Sequence, residues 1–130
     1  MKFLSYEIDT AKLLTQAEVL ELLKENNETY QALAEIGNRY HDAFGNELIW
    51  HYPISDGDHS GSYFVLVQEG ILSIPYNTVE PTIYEIFESQ YATMLDEAGI
   101  QFCIDNWIPF SDDLLSAMKA MQQILANRQF

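Results

Sequence analysis

Tyr63-Phe64-Val65-Leu66-Val67-Gln68-Glu69-Gly70-Ile71-Leu72-Ser73-Ile74 is the stretch whose reading decides the fold. Its first five residues are a dense run of β-formers, which suit a pleated and buried surface. Glu69-Gly70 follows, and glycine supplies the positive φ that a tight reversal needs. Ile71-Leu72-Ser73-Ile74 then returns as far as Pro75. The segment predicts a β-hairpin. Just upstream, Leu48, Trp50 and Tyr52 alternate with Ile49 and His51 before Pro53, which predicts a third strand. The three form an antiparallel meander.

Outward from the meander the period changes to that of a helix. Thr15-Gln16-Ala17-Glu18 has the capping-box pattern, and Val19, Leu20, Leu22 and Leu23 follow it. Asn26-Asn27 predicts a break. Tyr30, Leu33, Ile36, Tyr40 and Phe44 then recur at spacings of three and four, up to Gly45-Asn46. Downstream, Glu80-Pro81 suits a helix start, and Ile83, Phe87, Tyr91, Met94 and Ala98 make one apolar stripe. This predicts a helix over 82–98, closed by Gly99. Ile100, Phe102 and Ile104 alternate as a fourth strand. A last helix is capped by Ser111, with Asp112 and Asp113 in its first turn and Leu114, Met118, Met121 and Leu125 as its stripe. Residues 3–8 alternate weakly, as a short strand would. The expected class is α+β, one domain over 1–130. It has a small antiparallel sheet, the meander plus a fourth strand, with helices packed on one face in the order ααβββαβα.

Charge is the compositional outlier. The chain of 130 residues carries 20 Asp and Glu against 6 Lys and Arg, a formal −14. From Tyr40 to Met118 it has no basic residue, where average usage predicts roughly eight or nine. If the two ends pack together, the domain has a mixed-sign side and an anionic side. Such a surface disfavours nucleic acid and anionic membrane, both of which need basic patches. It favours a basic protein surface. No run approaches the length of a membrane span. The N-terminus lacks the apolar core of a signal peptide, and one cysteine, Cys103, excludes an internal disulfide. The expected compartment is the cytoplasm.

Two groups of residues are candidates for function. The first is a partner-binding set of carboxylates and aromatic anchors: Glu85, Glu88, Asp96, Glu97, Trp107 and Phe110. Aromatic anchors ringed by polar groups are what interface centres contain. In the predicted 82–98 helix, Asp96 and Glu97 fall in the last turn, where the dipole disfavours them. A partner could offset that cost. The second group is the loop Asp56, Asp58, Ser60 and Gly61, which fits the first half of a calcium loop, with His59 as a further ligand for a transition metal. Its second half departs from the pattern, since position twelve is Val67 and not a bidentate glutamate. The competing reading is a solvated turn. His51, on a strand, could approach that loop.

No phosphate-binding or acyl-transfer signature is present. Cys103 has only acids near it in sequence, which disfavour a thiolate nucleophile, and reads as a packed side chain. The composition and motifs therefore point away from an enzyme. They point to a small acidic protein-binding domain that needs no cofactor. By charge alone it is analogous to inhibitors of nucleases, to immunity-type proteins and to proteins that mimic DNA. The alternative is a metal-binding or metal-dependent module centred on 56–61. A homodimer through an edge strand or the aromatic run Trp107–Phe110 is a third possibility.

Overall fold

A computed structural model describes residues 2–4, 6–53, 60–78, 85–106 and 111–127. The chain begins with two short strands, β1 (Lys2–Phe3) and β2 (Tyr6–Glu7), which pair antiparallel about Leu4 at φ 57°. The predicted capping box forms at the start of α1 (Gln16–Glu25). Thr15 Oγ1 accepts from Glu18 N–H at 3.1 Å, and Glu18 Oε1 accepts from Thr15 N–H at 3.0 Å. The bond from Thr15 N–H, and secondly the Thr15 hydroxyl beside the carboxylate, favour its charged form and hold Glu18 below its ordinary range. Glu69 adds a second carboxylate there, accepting from Gln16 N–H at 2.9 Å. The helix unwinds at Asn26–Glu28, where Asn27 and Glu28 adopt φ near 57°. After it, α2 (Tyr30–Phe44) ends at Gly45, φ 75°, with Gly45 N–H donating to His41 C=O.

The meander is as expected: β3 (Ile49–Pro53), β4 (Ser60–Val67) and β5 (Gly70–Thr78), all antiparallel. Val67 pairs with Gly70 across a two-residue turn, and Gly70 takes φ 142°. The next segment differs from the expectation. Residues 85–94 form no α-helix. They run along the other side of β5 as β6 (Glu85–Phe87) and β7 (Thr93–Met94), separated by a 3-10 turn at Ser89–Tyr91. Phe87 lies opposite Tyr76, and Leu95 N–H donates to Ile71 C=O at 3.0 Å. The physical reason is the second edge of β5. That edge would otherwise bury unpaired backbone groups, and a 3.6-residue stripe is a weaker constraint than those bonds.

The expected fourth strand over 100–104 is also corrected. α3 (Glu97–Asn106) occupies it, and α4 (Asp112–Asn127) packs beside α3, with Gln122 Nε2 donating to Gln101 Oε1. Ile100, Cys103 and Ile104 fit a helical face as well as Ile100, Phe102 and Ile104 fit a strand. The helix wins because Ile100 and Cys103 are buried while Phe102 points to solvent, 56% exposed. The α+β class therefore stands, but the element order ααβββαβα is replaced by ββααβββββαα.

Cover on one face is the remaining correction. Every residue from Gly61 to Val67 is buried, so β4 has neighbours on both sides of the sheet. One face carries His51, Tyr63, Val65, Leu72, Ile74 and Tyr76 and meets α2, whose Gly37 lies against the Ile49 side chain. The other carries Trp50, Tyr52, Phe64 and Leu66. There Trp50 shares a groove with Asp113 and Ser116 of α4 and packs on Phe3, and the Tyr52 phenol lies close enough to Cys103 of α3 to be perturbed by it. An unbroken apolar run is the sequence mark of a strand covered on both faces.

A buried hydroxyl ties the layers together. Tyr40 of α2, 1% exposed, donates from its phenol to Leu66 C=O at 2.8 Å and accepts from Leu14 N–H at 3.1 Å. Gln68 holds the same segment, with N–H to Leu14 C=O at 3.0 Å and Nε2 to Leu13 C=O at 2.8 Å. Burial pushes the Tyr40 phenol up to about 12, against the smaller opposing effect of the Leu14 bond.

Candidate functional site

The edge strand β3 positions the most organised side chains. Ile49, His51 and Tyr63 come to one face because Ile49 pairs with Val65 and His51 with Tyr63. The His51 ring stacks on Tyr63 at 4.4 Å between centroids and 9° between planes. Its Nε2 lies 2.6 Å from the Tyr76 hydroxyl, which donates when His51 carries its proton on Nδ1. Tyr76 in turn packs edge-on against Phe87. Gly61 makes this possible. A Cβ there would stand 2.8 Å from the Tyr76 hydroxyl and 2.5 Å from Tyr52 C=O. The aromatic row fixes His51, which is itself exposed, at the lip of a groove between α2 and β3.

That groove has a volume of about 340 Å³, and its polar groups are Asn38, Glu47 and His51. A second groove of about 390 Å³ lies on the other side of the same strand, where Trp50 meets Asp113 and Ser116. Glu47 and Ile49 border both, and among the described residues neither is lined by Lys or Arg. Both fall at the small end of the usual range for ligand sites and are far more polar than most.

The carboxylates of the expected partner-binding set lie on different elements. Glu85 sits in β6 and Glu88 follows it, accepting from Asn77 Nδ2. Asp96 and Glu97 are at the start of α3, not the end of a helix. Asp96 Oδ1 accepts from Gly99 N–H at 2.7 Å, so the dipole favours this charge and the expected cost becomes a stabilising cap. Trp107 and Phe110 lie outside the described residues. So do Asp56, Asp58 and His59, along with the side chain of Ser60, whose backbone opens β4. Among the described residues no group of three or more His, Cys, Asp or Glu is arranged to hold a metal. Cys103 is buried, and burial pushes its thiol upward, away from nucleophilic use.

Sequence reasoning missed Phe102. On the outer face of α3 it is 56% exposed, one turn from Asp105, whose carboxylate accepts from Gln101 Nε2 at 2.9 Å. The signal was the residue left over once Ile100, Cys103 and Ile104 are assigned to the core.

No described Asp or Glu is buried. The α1–α2 layer mixes Glu18, Glu21, Glu25, Glu35 and Asp42 with Lys24 and Arg39, and Arg39 pairs with Glu35 at 2.7 Å. In α3 and α4, with Asp96 before them, Glu97, Asp105, Asp112 and Asp113 meet one basic residue, Lys119. No described helix is long and apolar enough to cross a membrane. No family model matches the chain, and no curated protein or solved structure is significantly similar to it.

Proposed function

We propose that this chain is a small acidic protein-binding domain that engages a basic protein, in the manner of an inhibitor, an immunity-type protein or a mimic of DNA charge. The observation that carries the reading is the outer side of the α3–α4 layer. Phe102 stands exposed on α3 one turn from Asp105, in a pair of helices that carries Glu97, Asp105, Asp112 and Asp113, with Asp96 before them, against Lys119 alone. An exposed aromatic supplies contact area, and surrounding like charge steers an oppositely charged partner and speeds encounter. Twenty acids against six basic residues leave this charge uncompensated within the chain. The same field opposes nucleic acid as a direct partner. The unpaired, buried thiol fits a reducing, cytoplasmic setting.

The test is affinity capture with the immobilised chain, beside its Phe102→Ser/Asp105→Lys variant and an unrelated protein of equal net charge. The expected result is a basic protein retained at low salt, released at high salt, and not held by the variant or the control. Retention of nothing, or of the same set by all three baits, refutes the reading.

A further inference from the structure

The edge of β3 is built to accept another strand. Leu66 N–H donates to Leu48 C=O, so the residues paired through hydrogen bonds are Leu48, Trp50 and Tyr52. In an antiparallel ladder the alternate residues turn their backbone groups the other way. Ile49 and His51 therefore present N–H and C=O outward, and no described residue bonds to them. Pro53 has only a carbonyl to offer, and it closes the edge. One groove lies on each side of this edge. An added strand would lie about 4.8 Å from β3 with its side chains alternating between the two sides. One set enters the α2 groove beside Asn38 and Glu47, and the other reaches Asp113 and Trp50. Each groove carries a carboxylate, Glu47 in both and Asp113 in the second, and among the described residues neither is lined by Lys or Arg, so they favour a basic occupant.

We propose that β3 takes up a short extended segment of the basic partner as an added strand, with Lys or Arg side chains seated at Glu47 and Asp113. This rests on the basic-partner reading and adds a strand contact at β3 to the one at Phe102. A second copy of the chain is the weaker occupant. It would bring two chains of −14 together.

The test uses the full chain labelled for NMR and two peptides of equal charge. One is Val-Lys-Lys-Lys-Val, whose neighbouring lysines turn to opposite sides. The other has the same sequence with alternate amides N-methylated, so that it cannot complete a ladder. The expected result is that the first peptide slows hydrogen exchange of the Ile49 and His51 amides. The methylated peptide and a Glu47→Lys variant each weaken binding by about tenfold or more. Equal, salt-sensitive binding of both peptides overturns strand addition and leaves the basic-partner reading standing. Strand addition is also overturned, with that reading intact, if a captured partner perturbs Phe102 while the Ile49 and His51 amides stay unprotected. If light scattering finds a dimer with those two amides protected before any peptide is added, the occupant is a second copy and the proposal falls.

Discussion

Replacing Tyr40 with Phe removes one oxygen and leaves the packing volume of a 1% exposed ring unchanged. The oxygen serves two bonds, to Leu66 C=O at 2.8 Å and from Leu14 N–H at 3.1 Å. Each buried hydrogen bond contributes about 1 kcal/mol net, and a buried group left without its partner costs about 1–3 kcal/mol. Tyr40→Phe is therefore expected to lose about 2–4 kcal/mol, a large part of the ~5–15 kcal/mol that holds a typical domain folded. Urea unfolding measures this as a lower midpoint at unchanged slope, because the surface exposed on unfolding is the same.

The pH dependence gives a second measurement. The Tyr40 phenol is raised to about 12 in the folded state, against about 10 in the unfolded chain. The protonated form is thus favoured by folding. Its contribution is fully present below pH about 10 and is lost as pH rises towards about 12. Two units correspond to about 2.7 kcal/mol. The stability gap between the native chain and Tyr40→Phe should narrow over that window. A loss below about 1 kcal/mol near neutral pH, or a gap that stays constant through the window, refutes the latch.

Two further substitutions probe the rest of the frame. Gly61→Ala places a Cβ 2.5 Å from Tyr52 C=O and 2.8 Å from the Tyr76 hydroxyl. It should cost about 2 kcal/mol or more in denaturant unfolding and separate Tyr76 from His51, seen as a changed His51 ring signal in NMR. Asp96→Ala removes the side chain that accepts from Gly99 N–H. It should cost about 1 kcal/mol in the same assay; no loss would show that the start of α3 is held by packing alone.

Much of the local frame was legible from short-range chemistry. The capping box at Thr15 and Glu18, the break at Asn26-Asn27, the left-handed stop at Gly45 and the Ser111 cap, whose Oγ accepts from Leu114 N–H at 3.2 Å, each depend on residues within a turn of one another. The meander was legible for the same reason. The candidate site was legible only in fragments. His51 was noticed, but its role at a groove depends on α2 and on Gly61 making room for Tyr76. Phe102 went unnoticed because its solvent face is defined only once Ile100 and Cys103 are inside.

By itself the sequence determined the class, the caps, the hairpin turn and the surplus of negative charge, because those follow from composition and from neighbours along the chain. The tertiary structure decided what periodicity left ambiguous. Over ten residues an apolar pattern fits both a helix and a strand, and the outcome rests on distant partners. Residues 85–95 became strand because β5 had a free edge to satisfy. Residues 97–106 became helix, and with α4 they cover the second face of a sheet whose central strand is apolar on both sides. That second layer adds the groove at Asp113 to the one between α2 and β3.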